Sequence, residues 1–175
     1  MSKEDLTFKA CDRMVRDFED VIKKPVREPS SVYYTGVDLG TACVVLAEHL
    51  RPVAGTFRYA DVVRDGMVVD YIGAIRIVRE MKEELEEKLG SQLIYAAAAI
   101  PPGTDALDSG AIKNVVQGAG FEITALPDEP TAANAVLNIR NGAVVDIGGG
   151  TTGISVLKDG KVVYVADEPT GGTHF

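Results

Sequence analysis

Gly36-Val37-Asp38-Leu39-Gly40-Thr41 recurs later in the chain as Val144-Val145-Asp146-Ile147-Gly148-Gly149-Gly150-Thr151. Each copy reads as a strand, an Asp, one apolar residue, a glycine turn, a Thr and a second strand. Such a turn bares successive backbone N–H groups, because glycine has no Cβ to shield them, and a nest of amides suits phosphate oxygens. The Asp beside each turn can hold the Mg²⁺ that a nucleotide's phosphates carry, directly or through its waters. One copy is an ordinary turn. Two matched copies predict hairpins that face each other and grip a triphosphate from both sides.

Around these loops the pattern alternates between strand and helix. Strands are expected over residues 32–39, 42–48 and 55–63, with Asp65-Gly66 as a tight hairpin turn. Ile72, Ile75, Val78, Met81, Leu85 and Leu89 then form the apolar stripe of a helix stopped by Gly90, with Arg79, Glu83, Glu84 and Lys88 on its solvated side. Residues 93–100 suit a strand buried on both faces, and residues 111–119 a helix. A short strand over 122–126, a helix from Pro130 and three strands over 143–147, 153–157 and 162–166 complete the reading. Upstream, Cys11, Met14, Val15, Phe18, Val21 and Ile22 make a helix that should brace the strands after it, before a linker marked by Pro25 and Pro29. Hairpins followed by strand–helix alternation predict an α/β fold with a mixed sheet.

Two rival phosphate motifs fail. Gly148, Gly150 and Gly153 satisfy GxGxxG with Asp167 downstream, but a dinucleotide fingerprint needs its third Gly to open a helix, and residues 154–156 alternate as a strand. No GxxxxGK[ST] occurs. A third element, Asp128-Glu129-Pro130-Thr131, has two readings: helix capping, or a carboxylate, Glu129, that orients or deprotonates a water attacking a γ-phosphate. The same four residue types recur as Asp167-Glu168-Pro169-Thr170, running into Gly171-Gly172 without a helical pattern.

Composition sets the outer limits. Of 175 residues, 26 are acidic and 18 basic, a net charge of −8 that makes nucleic acid an unsuitable partner. Cys11 and Cys43 sit in no metal-binding spacing, so reduced thiols in a cytoplasmic setting are expected. His49 reads as an ordinary strand residue and His174 has no partner in sequence. No apolar run reaches membrane-spanning length and no leader pattern opens the chain, so a soluble protein without a membrane partner is expected.

Residues 36–41 resemble the first phosphate loop, residues 128–133 the first connecting helix and residues 144–152 the second phosphate loop of the actin and seventy-kilodalton heat-shock ATPase superfamily. The resemblance implies a ribonuclease-H-like fold: a mixed five-stranded sheet with packed helices, followed by the opening strands of a second such domain. It implies ATP or ADP with Mg²⁺ as the ligand. Carried over by position, Asp38 and Asp146 would face the metal and Glu129 would serve the attacking water. Gly40, Thr41, Ala42, Gly148, Gly149, Gly150, Thr151 and Thr152, with Gly171 and Gly172, would bind the nucleotide. More narrowly, residues 59–66, 101–105 and 146–154 are similar to a chaperone-like family of bacterial ethanolamine utilisation, which implies ethanolamine-degrading enzymes or microcompartment components as partners. A filament subunit and a small-molecule kinase of the same superfold are the alternative functions.

Two departures qualify the resemblance. Heat-shock chaperones carry a catalytic Lys on an inserted subdomain, whereas residues 57–71 pass straight from hairpin to helix, so any hydrolysis should be slow. Phe175 comes shortly after Gly171-Gly172, where the superfamily enters its second domain. The expected organisation is therefore a helix and linker over 1–31, domain I over 32–141 and an incomplete domain II over 142–175. Strands 143–166 would then lack covering helices and favour self-association.

Overall fold

The N-terminal amphipathic pattern folds as helix α1 (Phe8–Lys23), which lies on the outer strand of a five-stranded sheet. The structure, a computed structural model, describes residues 8–26, 33–40, 43–48, 51–64 and 66–174. Thr41, Ala42, His49 and Asp65, and the side chains of Cys11 and Cys43, lie outside that description. Gly55 lets α1 approach closely, since a Cβ there would stand 2.7 Å from the Phe18 ring and the ring would have to move. Among the described side chains of the stripe, Val21 is buried whereas Val15 is 68% exposed, so Val15 does not belong to the face laid on the sheet.

Strands β1 (Tyr34–Asp38), β2 (Cys43–Glu48) and β3 (Arg51–Phe57) form an antiparallel meander. β3 begins earlier and ends earlier than the expected strand over 55–63. It accommodates Pro52 because it is the sheet edge, where a missing N–H breaks no ladder. A two-residue hairpin, β4 (Val63–Arg64) and β5 (Met67–Val68), turns at Gly66 with φ of 77° and leads into α2 (Tyr71–Leu89). Asp70 caps α2 by accepting from the Gly73 N–H at 2.9 Å, and Gly90, at φ 70°, ends it.

β6 (Tyr95–Ala98) returns parallel to β1, α3 (Ala106–Gly118) comes next, and β7 (Glu122–Ala125) adds parallel to β6. The order β3-β2-β1-β6-β7 is the mixed five-stranded sheet expected from the sequence. Val78, Met81 and Leu85 of α2 and Val115 and Val116 of α3 are fully buried in one core with Val37, Ala96 and Ala98 of the sheet. Each large side chain buried there contributes about 1.5–3 kcal/mol.

Three expectations need correction. Ile72 is 73% exposed, because the buried face of α2 starts with Gly73 and Ala74 instead. Glu84 is half-buried where the sequence predicts a fully solvated helix face: Arg58, Lys88 and the Thr56 hydroxyl donate to it. Although burial pushes its carboxyl up, the Lys88 and Arg58 contacts outweigh that and hold it below the usual range. β6 is buried on one face only: Ala96 and Ala98 face the core, whereas Tyr95, on the opposite face, is 38% exposed.

The rest of the chain builds a second, three-stranded antiparallel sheet: β8 (Gly142–Ile147), β9 (Thr152–Lys158) and β10 (Lys161–Glu168). Asp159 and Gly160, at φ 53° and 78°, make the tight turn between β9 and β10. Gly153 lies within β9, which removes the dinucleotide fingerprint on structural grounds. Helix α4 (Glu129–Leu137) packs on β8 and β9 and joins the two sheets. Among the described residues no helix is long and apolar enough to cross a membrane.

Candidate functional site

Both glycine loops open into one cavity of about 310 Å³ between the sheets. Its lining brings together Asp38 and Gly40 from the end of β1, Glu129 from the start of α4, and Asp146 with Gly148, Gly149, Gly150 and Thr151 from the β8–β9 turn. Residues far apart in sequence meet there because β1 and β8 each end at the cleft, with α4 crossing between their sheets.

Local hydrogen bonds shape each loop. In the first, the Gly40 N–H donates to Asp38 Oδ1 at 2.9 Å, which folds the turn back on its own carboxylate. In the second, the Gly148 N–H donates to the Thr151 carbonyl at 2.9 Å. Those two amides are committed to turn closure. Gly149, Gly150 and Thr151 line the cavity, and their amides donate to no other described group.

The two acids at the head of α4 divide the roles left open by the sequence. Asp128 is the cap: Oδ1 accepts from the Thr131 N–H at 2.9 Å and Oδ2 from the Thr131 hydroxyl at 2.7 Å. The buried Ser155 hydroxyl of β9 also donates to Asp128 Oδ1, at 3.2 Å, tying the helix start to the second sheet. Glu129 takes no part in this capping. Its N–H donates to the Ile100 carbonyl at 2.8 Å, beside the isolated parallel bridge between Ile100 and Asp128, so the segment that follows β6 fixes it at the cavity.

Electrostatically the cavity is one-sided. Burial, then Asp146 and Asp38, push the Glu129 carboxyl up to about 7, with Asp167 and Asp128 adding to the effect. Burial and then Asp38 also raise Asp146. Among the described residues no Lys or Arg lines the cavity. A surplus of carboxylate beside loop amides without a described acceptor fits a phosphate group that arrives with its own divalent cation. Among the described residues no cluster of three or more His, Cys, Asp or Glu could hold a metal alone, so Asp38 and Asp146 could serve a Mg²⁺ only with phosphate and water oxygens completing its shell.

Thr152, Gly171 and Gly172 do not line the cavity. The Thr152 hydroxyl donates to the Thr170 carbonyl at 2.7 Å, and Gly171 and Gly172 lie against the carbonyls of Gly148 and Gly149 behind the loop. The second Asp-Glu-Pro-Thr thus ends a strand instead of starting a helix. Its Asp167 has a buried Oδ1 without a partner and is raised first by burial and then by Glu168.

Sequence reasoning missed the cavity floor of Val63, Gly66, Ala99, Pro101 and Ile112. The signal was present in Pro101-Pro102-Gly103, at the carboxyl end of a parallel strand, where α/β sheets place their ligands. A second cavity of about 560 Å³ adjoins the first through Gly66 and Pro101 and is lined by Asp105, Asp108 and Asp167.

Comparison with known families settles the lineage: the model described as MreB/Mbl protein matches residues 53–175. The chain belongs to the MreB/Mbl family. Within this actin-like fold it is 49% identical over 145 residues to the ethanolamine utilization protein EutJ of Salmonella typhimurium LT2, covering 81% of this chain and 51% of the relative. The chain therefore spans about half the length of the curated relatives it matches. The crystal structure of EutJ from Carboxydothermus hydrogenoformans superimposes with a TM-score of 0.84 at 51% identity, over 93% of this chain and 61% of that one. MreB5 of Spiroplasma citri, bound to ADP in its crystal structure, shares the MreB/Mbl fold with a TM-score of 0.66 at 20% identity, over 83% of this chain and 54% of that one.

Proposed function

We propose that this chain grips the phosphate–Mg²⁺ end of ATP or ADP, as part of an EutJ-like, chaperone-like protein of bacterial ethanolamine utilisation. The observation that carries the reading is the convergence of Asp38, Glu129 and Asp146 with the amides of Gly149, Gly150 and Thr151 in a cavity that no described basic side chain lines. Amides from one loop would hold phosphate oxygens, and Asp38 and Asp146 would hold the cation through its waters. When bound, Mg²⁺ supplies the positive charge that the cavity lacks. The ADP in the MreB5 structure and the identity to EutJ support the ligand class and the setting.

Glu129 is the general base of this reading. A carboxyl poised near 7 can take a proton from a water at neutral pH. Because no described Lys or Arg stands in the cavity to neutralise a departing phosphate, turnover is slow and the site works as a nucleotide switch. Residues 32–141 form the first domain in this account and residues 142–175 begin a second. The partners are ethanolamine-degrading enzymes or microcompartment components in a cytoplasmic setting.

A second reading, self-association, is favoured by the face of the three-stranded sheet turned away from α4. There Val145, Ile147 and Tyr164 are 54%, 67% and 61% exposed. Calorimetric titration with Mg-ATP, against the same titration in EDTA, tests the primary reading: the heat of binding should require Mg²⁺.

A further inference from the structure

Gly171 and Gly172 belong to a short 3₁₀ turn and its lead-in (Gly172–His174) that sits on the rear of the second glycine loop. Three donors reach two carbonyls there. The Gly172 N–H donates to the Gly148 carbonyl at 2.8 Å. The Thr173 N–H and hydroxyl both donate to the Gly149 carbonyl, at 3.0 and 2.6 Å. The approach is so close that a Cβ on Gly171 would stand 2.5 Å from the Gly149 carbonyl oxygen and 2.6 Å from that of Gly148. Two further bonds hold the turn itself: Gly171 N–H to His174 Nδ1 at 3.0 Å, and Thr152 hydroxyl to the Thr170 carbonyl at 2.7 Å.

In a trans peptide the carbonyl of one residue and the N–H of the next point in opposite directions. Holding the Gly148 and Gly149 carbonyls from behind therefore turns the Gly149 and Gly150 amides forward, toward the cavity that both residues line. Glycine peptides otherwise rotate readily, and ordering them is an entropic cost that a ligand would have to meet. We propose that the Gly171–Thr173 segment is a positioning element that presets the amides of the second loop for phosphate, with the Thr173 hydroxyl as its side-chain contact. The element never touches the ligand. It also gives the first glycine after the second Asp-Glu-Pro-Thr a purpose, since at Gly171 only glycine fits against the loop carbonyls.

The proposal rests on the nucleotide reading above, and one set of measurements separates the two. Thr173→Val keeps the shape and removes the hydroxyl; Thr173→Ser restores it. With all three proteins shown to be folded by circular dichroism, Mg-ATP affinity should fall about 5–10-fold in Thr173→Val, the scale of one lost hydrogen bond, and return to within about twofold in Thr173→Ser. In the ligand-free proteins, the Gly149 and Gly150 amides should show faster hydrogen exchange in Thr173→Val alone. Gly171→Ala should weaken binding further; if it does not fold, the Thr173 pair still decides. Equal affinity and equal exchange in wild type and Thr173→Val would overturn the positioning role. Failure of wild type to bind Mg-ATP would instead overturn the nucleotide reading, while the exchange comparison still decides whether the turn orders the loop.

Discussion

Asp128 and Glu129 are neighbours of the same chemistry, yet one is spent on structure and the other is held at the cavity. Asp128 accepts three hydrogen bonds, whereas Glu129 faces Asp38 and Asp146 with no described Lys or Arg in the cavity to balance them. This asymmetry has a pH signature. The folded-state value near 7 lies above the ordinary 4.5, so between those limits the folded protein binds the proton more tightly than the unfolded chain. Stability conferred by the protonated Glu129 is therefore present at low pH and lost as pH rises through 7. Ligand-free Glu129→Gln should melt higher than wild type at pH 8, with the difference shrinking toward pH 4. A difference independent of pH would contradict the assignment. The sequence could not divide the two acids, because either can sit at the head of a helix near Pro130; the structure divides them by the Thr131 bonds to Asp128 and by Ser155, in a strand folded back from later in the chain.

At the scale of elements, α4 is the part that joins the two halves of the site. Its start is bonded to the segment after β6 through Ile100 and to β9 through Ser155, so Glu129 and the second glycine loop are positioned together. Asp128→Ala removes a helix cap and leaves the buried Ser155 hydroxyl unpaired, and should cost about 2–3 kcal/mol in denaturant unfolding. Asp70→Ala, which removes a cap alone, should cost about 1 kcal/mol. Equal losses would mean that the Ser155 tie contributes nothing. Most elements were legible from periodicity and turn residues: Asp159-Gly160, Gly90 and the alternation of β8 to β10 each signal their own local structure. Less legible was anything set by a distant partner. Pro52 enters a strand because that strand is an edge, and Glu84 is half-buried in an ion pair because Arg58 reaches it from just beyond β3.

For the molecule as a whole, two sheets of unequal size enclose the cavity, and they differ in how well they are covered. The five-stranded sheet carries a core against α2 and α3, while among the described residues the three-stranded sheet is met by α4 on one face only. Its open face of Val145, Ile147, Val156 and Tyr164 predicts association that strengthens with concentration. Sedimentation velocity should show a dimer or larger species growing from micromolar to several hundred micromolar, and Tyr164→Glu should reverse it; a monomer throughout would contradict the self-association reading. The paired glycine loops made the architecture recognisable in the sequence. Which backbone amides are available was not readable there, because Gly40 and Gly148 commit theirs to closing the turns. The most direct test of the central claim is a calorimetric titration of Mg-ATP into wild type and Asp146→Ala. Wild type should bind in a Mg²⁺-dependent manner, and binding should weaken at least about tenfold in Asp146→Ala, the loss of one charged partner at the metal–phosphate unit. Equal binding by the two proteins, or wild-type binding that survives EDTA unchanged, would contradict it.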